Sequence, residues 1–250
     1  MQNNYNKYHF TDFTISKYKE ILKVLKINFN VSLFHSYNKK DKFVVLRHDI
    51  DFSPQRALRI ANIEYKEGIR STYFIHLHSE YYNIFEKGIF ETFVQILNMG
   101  HELGIHFDTH FYNIDSEDKI TKILLLEKQI LENLFNVNIN CFSFHNTNPF
   151  IMTCKKDSYA DLINTYSAYF QNEVNYCSDS NGYWKYNRLS EYIKNPEIKN
   201  LQLLIHPEWW QEEPMSPAQK IKRCIYGRAD QNYSNYKKLL SSYNNLNIDW

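Results

Sequence analysis

From Phe43 onward the chain alternates between short β-branched runs and amphipathic stretches, and each run ends in an ionisable side chain. The first case is FVVLRHDIDFSP, residues 43–54. Phe43, Val44, Val45 and Leu46 begin a buried strand (43–47), and Arg47, His48, Asp49, Ile50 and Asp51 then place four ionisable groups within five residues. Desolvating two carboxylates and an imidazole there is costly unless a metal or a catalytic role compensates them.

The next stretch, SPQRALRIANIEYKEG, predicts a helix. Ser53 caps it, Pro54 opens it, Ala57, Leu58, Ile60 and Ala61 share one face, and Gly68 ends it. STYFIHL (71–77), HELGIHF (101–107), INCFSFH (139–145), VNYCSD (174–179) and LQLLIH (201–206) predict further strands. IFETFVQILNMG (89–100) and DKITKILLLEKQILENLF (118–135) predict helices, and Ser216-Pro217 opens a last one. Residues 1–41 read as a helical, polar N-terminal extension. Strands alternating with helices predict an α/β fold with a mostly parallel sheet, open or closed into a barrel, and residues 1–250 read as one domain.

The polar residues then fall on one edge. Asp49 and Asp51 follow the first strand, His76 and His78 end the second, and His106 and His110 follow the third. His145, Asp179 and His206 close the fourth, fifth and sixth. In α/β folds the C-terminal ends of the strands are where ligands bind. A lone histidine there reads as structural; six strands repeating the pattern do not.

Composition narrows the partners. Lys+Arg number 29 against Asp+Glu 28, a formal net charge of +1, so no basic field draws nucleic acid. No run of about 18 apolar residues predicts a membrane span. MQNNYNKYHFTDF lacks the apolar core of a signal peptide, which makes a cytoplasmic location the expectation. Cys141, Cys154, Cys177 and Cys224 form no CxxC pair, so none is expected to bind metal. Aromatic residues make up 16% of the chain, which fits either stacking on sugar rings or the codon bias of an AT-rich genome.

His106-Phe-Asp-Thr-His110 has two histidines four apart, a spacing that puts both imidazoles on one face of a helical turn. Asp51 can add a third, anionic ligand. Two histidines and one carboxylate leave positions open for water and substrate, as in catalytic zinc or iron sites. One divalent metal ion, zinc first, is therefore the expected cofactor. His101-Glu102-Leu-Gly-Ile-His106 imitates HExxH but has one residue too many, so His101 reads as structural.

These residues resemble the polysaccharide deacetylase family (NodB homology, carbohydrate esterase family 4). The family's second motif, roughly G-H-E-I-G-N-H-x-x-x-H, is similar to GHELGIHFDTH at 100–110. Its first, T-F-D-D-G, is similar to RHDID, with one residue inserted between the acids. DSNGYW (179–184) looks like the fourth motif and LLIHPEWW (203–210) like the fifth. The third motif normally carries an Arg that tethers the base. Here SFHNTNPF (143–150) has His145 near that position, so Arg47 or His48 is left to orient Asp49. The closest likeness is to the WbmS-like branch found in surface-polysaccharide gene clusters. The resemblance implies a distorted (β/α) barrel and a carbohydrate-directed hydrolase. It also implies Asp49 as catalytic base and Asp51, His106 and His110 as metal ligands.

The implied chemistry is removal of an acetyl or similar acyl group from an amino sugar or polysaccharide precursor, a small molecule or oligosaccharide. Asp49 takes a proton from water, His206 protonates the leaving amine, and Asp179 holds His206 charged. Asp179 can also serve an Asx turn in DSNG. His145, replacing the family's Arg, reads as a tether or substrate contact in preference to a fourth ligand. His76, His78, Trp184, Trp209 and Trp210 are further substrate-binding candidates, each tryptophan having a core-packing alternative. Hydrolysis of a non-sugar C–N bond (a cyclic amide or ureide) is the second reading. A non-catalytic sugar-binding relative is the third, although a mere binder needs no paired base and acid.

Overall fold

Strand β2 (Phe43–Ile50) is buried along its whole length and lies mid-sheet in the computed structural model, which describes residues 2–242. It continues past Arg47, where the sequence predicts an end, because its ionisable residues find partners on both faces. Successive strand side chains point to opposite faces. Phe43, Val45, Arg47 and Asp49 therefore share one face, while Val44, Leu46, His48 and Ile50 share the other.

Around β2 the sheet runs in the order β6 (Ser158–Tyr159), β7 (Leu162–Asn164), β5 (Cys141–His145), β4 (Glu102–Asp108), β3 (Thr72–Ile75), β2, β9 (Leu201–Ile205), β8 (Asn175–Ser178). A short β1 (Asn30–Ser32) pairs with the start of β2. Every pairing is parallel except that of β6 with β7. Helices α3 (Pro54–Lys66), α4 (Lys87–Asn98) and α5 (Glu117–Phe135) make the crossovers from β2 through β5, as parallel pairing requires. The Ser53 Oγ accepts from the Arg56 backbone N–H at 3.2 Å and Pro54 occupies the first turn, as the sequence predicts for α3.

The outer face carries most of the core. Ile50, Ile75, Leu103, Ile105 and Phe142 pack against α3, α4 and α5. Val44, Leu46, Leu201, Leu203 and Ile205 pack against α2 (Ile15–Asn28). On the inner face Phe43, Val45, Phe74 and Cys141 form a smaller cluster with Phe34, Phe170 and Val174, Phe170 coming from α6 (Ala168–Asn172). Gly104 of the GHELGIH segment belongs to this inner layer. A Cβ there would lie 2.7 Å from the Phe74 ring, so only glycine permits the close approach. Tyr166, just beyond β7, and Tyr176 of β8 stand near opposite ends of the sheet, yet both line one cavity above Asp49. The sheet is thus curled into an open, distorted (β/α) barrel, with a gap between the β6–β7 hairpin and β8.

One sequence expectation needs correction, and several short elements go beyond the sequence reading. Residues 1–41 are not helical throughout: after α1 (Gln2–Lys7) and α2, residues Asn30–Ser32 form β1, because Val31 and its neighbours complete the lower part of β2 where β3 has not yet begun. The β6–β7 hairpin, α6 and the four-residue α7 (Leu189–Tyr192) are too short to show a period in the sequence. The last helix, α8 (Pro217–Ser242), starts where Ser216-Pro217 predicts. Among the described residues no helix is long and apolar enough to cross a membrane.

His48 faces outward and meets a buried carboxylate, Glu64 of α3. Glu64 accepts from Tyr18 Oη (2.5 Å), Ser71 Oγ (2.5 Å) and Tyr73 Oη (2.6 Å), and His48 Nε2 stands 2.7 Å away. His101 completes the group, its Nε2 3.0 Å from the Ala61 carbonyl, the structural role expected of it. Burial opposes ionisation of Glu64, but the His48 charge and these hydrogen bonds bring its pKa from 4.5 down to about 2. A depressed carboxylate pKa stabilises the fold above the unfolded value, and this is lost as pH falls toward about 2. Glu64→Gln is therefore expected to cost about 3 kcal/mol at neutral pH and to flatten the stability profile between roughly pH 4.5 and 2. Denaturant titrations across that range check this. An unchanged slope in the variant would assign the effect to another group.

Candidate metal centre and catalytic cleft

The inner-face residues of β2 lead upward from the apolar layer to the site. Arg47 is fully buried and grips Asp49 with two hydrogen bonds, Nε to Oδ1 at 2.8 Å and Nη2 to Oδ2 at 2.6 Å. Its remaining donors reach Thr165 Oγ1 (3.4 Å) and Tyr166 Oη (3.3 Å) across the barrel. Burial alone would raise the Asp49 pKa; the Arg47 charge, followed by that of His106, brings it below the usual carboxylate value. Of Arg47 and His48, Arg47 is the one in contact with Asp49. His48 cannot serve, because the strand period turns it to the outer face.

Asp51 follows on the same face, and two imidazoles converge on it. The Asp51 Oδ1 lies 3.2 Å from His106 Nε2 and 3.5 Å from His145 Nδ1, and those two nitrogens are 3.0 Å apart. Ligand atoms bound tetrahedrally at 2.0–2.1 Å from an ion stand about 3.3 Å from each other, so the triangle has the size of a metal's ligand set. Asp51 Oδ1 is also buried and makes no hydrogen bond in acceptable geometry, despite its close nitrogen neighbours. The donor set of one carboxylate and imidazoles suits a divalent cation. His106 Nδ1 lies 2.7 Å from Ser143 Oγ, a contact that aims Nε2 at Asp51. Strand pairing explains the convergence, since Asp108 of β4 is in register with His145 of β5 and His106 with Ser143.

His76 joins the group, for Asp51, His76 and His145 offer ligand atoms all within 4.8 Å of one another. Its Nε2 is 3.2 Å from Asp108 Oδ2. Burial first, then the neighbouring His106 and His145, bring its pKa down to about 4, so it is neutral near pH 7. His110 is placed differently from the expectation. His106 belongs to an extended strand, not to a helical turn, and the chain bends after Asp108, whose Oδ1 accepts from the His110 and Phe111 backbone N–H groups. His110 is exposed, with Nε2 2.8 Å from the Asn146 carbonyl oxygen. Of the two histidines of HFDTH, His106 reaches Asp51 while His110 lines the outer part of the cleft.

The opposite wall comes from β8 and β9, which are adjacent and parallel. Asp179 is fully buried, and its Oδ1 lies 2.7 Å from His206 Nδ1. The same carboxylate accepts from the His206 backbone N–H at 2.9 Å and from Trp210 Nε1 at 2.8 Å. His206 Nε2 points back toward Asp51, 3.9 Å from Oδ2. Burial opposes a charge on His206, but the Asp179 hydrogen bond and charge outweigh it, with Asp51 adding to them, and the pKa rises to about 10.

The tryptophan expectation is corrected in part. Trp210 is fully buried and supports Asp179, so it cannot touch substrate. Trp184 stacks on Phe13 and faces a separate cavity beside Asp12 and Arg188. Trp209 does line the cleft, a cavity of about 830 Å³ with Asp51, His76, His110, His145 and His206 around it. His78 stands in its wall, stacked on Phe111 with ring centroids 3.6 Å apart and its Nε2 2.7 Å from Tyr112 Oη. Sequence reasoning missed Ser143, Asp108 and Glu208. Ser143 was legible, since it lies two residues before His145 and so on the same strand face. Glu208 lines the cleft, and its buried carboxylate has no hydrogen-bond partner.

No protein-family model matches this chain, and neither does any curated protein. Solved structures similar to it include a family 4 carbohydrate esterase from Bacillus anthracis, at 13% identity over 84% of this chain and 85% of that one, with a TM-score of 0.45. A chitin deacetylase from the fungal pathogen Colletotrichum lindemuthianum is similar at 16% identity over 80% of this chain and 86% of that one, TM-score 0.45. A third is a mutant, with restored enzymatic activity, of a family 4 pseudoenzyme from Bacillus anthracis. It is 15% identical over 78% of this chain, which spans 65% of that protein's length, with a TM-score of 0.43.

Proposed function

We propose that this chain is a metal-dependent hydrolase that removes an acetyl or similar acyl group from an amino sugar or saccharide precursor. The observation that carries the reading is the Asp51–His106–His145 triangle, flanked on one side by an arginine-held carboxylate and on the other by an aspartate-held imidazole. Asp49 Oδ2 is 3.5 Å from His106 Nε2, and His206 Nε2 is 3.9 Å from Asp51 Oδ2, so base and acid approach the same point from opposite sides.

Asp51, His106 and His145 would hold the ion, with His76 beside them, and zinc is the expected metal. A divalent cation there lowers the pKa of water and polarises an acyl carbonyl. Asp49, kept ionised by Arg47, accepts the proton of the attacking water. His206, kept protonated by Asp179, donates from Nε2 to the leaving nitrogen, so amide and water become carboxylic acid and amine. Trp209, His78 and His110 line the cleft that receives the sugar. His110 contacts substrate in this arrangement, where the family resemblance implies a ligand.

Elemental analysis tests the ligand set. The purified protein is expected to carry about one divalent ion per chain, lost in His106→Ala and His145→Ala but retained in His110→Ala. Loss in His110→Ala with retention in His145→Ala would restore the ligand set implied by the family motif. Release of acetate from N-acetylated saccharides, dependent on added metal, tests the reaction itself.

A further inference from the structure

A second cavity, of about 220 Å³, lies between the start of α3 and the middle of α8. Its lining includes Arg56, Arg223 and Arg228 together with Gln55 and Gln231, and no acidic residue. The arginines are poorly neutralised. Arg56, Arg59 and Arg223 share one carboxylate, Glu212, at 3.3, 3.4 and 3.9 Å, while Arg228 pairs with Glu86. The three arginines that line the cavity thus meet two carboxylates, one of them shared with Arg59 outside the lining, in a chain whose overall charge is close to balanced. Arg56 is held in place by donating from Nη2 to the Trp210 carbonyl oxygen, yet its buried Nε–H has no partner.

This cavity adjoins the catalytic cleft through shared lining residues. A smaller space of about 170 Å³ between them shares Phe52, Glu80 and Tyr81 with the cleft, and Phe52, Cys224 and Arg228 with the arginine cavity. Phe52 and Tyr81 are stacked with centroids 4.0 Å apart and form the wall common to this passage. The order along the groove follows the chain: Asp51 at the metal centre, Phe52 at the passage, Arg56 in the far cavity.

We propose that this far cavity is an oxyanion subsite, and that the acylated saccharide processed in the cleft carries a phosphate or diphosphate ester seated on Arg56, Arg223 and Arg228. Guanidinium forks match phosphate oxygens in pairs, and three arginines lining one cavity that has no acidic residue in its lining suit a phosphate oxyanion. The saccharide half of the inference rests on the deacylase reading; the anion half does not.

Titration calorimetry with N-acetylglucosamine 1-phosphate, N-acetylglucosamine and inorganic pyrophosphate separates the two halves. The phosphorylated sugar is expected to bind roughly tenfold or more tightly than the neutral one, and Arg223→Gln and Arg228→Gln are expected to erase most of that preference. Pyrophosphate alone is expected to bind and to weaken in the same variants. If pyrophosphate binds in this way while neither sugar does, the anion subsite stands and the deacylase reading falls. Equal binding of the two sugars, or a phosphate preference unmoved by both variants, overturns the subsite. Competition by uridine diphosphate, against competition by phosphatidic acid in phosphatidylcholine vesicles, assigns the ester to a nucleotide-linked or a lipid-linked sugar.

Discussion

His206→Gln is expected to lower kcat for deacetylation by roughly 10²–10⁴-fold, the usual loss on removing a general acid, while leaving the metal content unchanged. His206 is placed for this by β9, which delivers it to the cleft, and by Asp179, which binds Nδ1 and leaves Nε2 directed at the centre. A general acid works only while protonated, so the rate should be full below its pKa and fall as pH rises through it. With the pKa raised to about 10, and with a bound cation cancelling the share that Asp51 contributes, the basic limb should lie between about pH 7 and 10. Asp179→Asn should move that limb to lower pH, because it removes the main source of the rise. Trp210→Phe should move it less, since Asp179 keeps its two contacts to His206. Near wild-type turnover by His206→Gln, with the fold intact, would remove His206 from the chemistry.

The second large effect concerns the buried Arg47–Asp49 pair. Arg47→Met leaves Asp49 ionised in a closed interior without its principal counter-charge, and breaking a buried pair in this way costs about 3–5 kcal/mol. The Asp49 pKa should rise, since Arg47 is the chief influence lowering it. Activity should therefore fall at neutral pH and recover in part as pH increases. The double variant Arg47→Met/Asp49→Asn should regain much of the stability, both charges being gone, yet remain inactive. Chemical denaturation of the four proteins of this cycle, with activity measured alongside, provides the check. Wild-type stability and rate in Arg47→Met would show that the pair neither supports the fold nor positions the base.

Arg47 also shows how far local sequence reaches. It lies two residues before Asp49, and in any strand that spacing puts two side chains on one face. What was missing was the length of the strand. An ionisable run reads as a strand end because isolated charges are costly to bury. Here Arg47 and Asp49 neutralise each other inside the barrel while His48 meets Glu64 outside it, so the backbone stays extended to Ile50. Glu64 lies on a later helix, and nothing local to RHDID announces it.

Local sequence was enough for the longer elements and for the edge of the sheet that carries the site. Short β-branched runs, helix caps and closing glycines are local signals, and they sufficed to predict the parallel α/β architecture and to gather Asp49, Asp51, His106, His145, Asp179 and His206 at the strand ends. Adjacent strands also sufficed to pair Asp179 with His206. Which of the other groups touch was set by tertiary packing. His110 is close to His106 in sequence, but the bend at Asp108 sends it to the rim, while His145, 39 residues away from His106, arrives beside it because β4 and β5 are paired in register. Trp210 sits four residues after His206, yet it is turned into the core to bind Asp179. Spacing along a chain sets which residues can share an element. Convergence on one point depends on strand register and sheet curvature, which are set by packing between segments far apart in sequence.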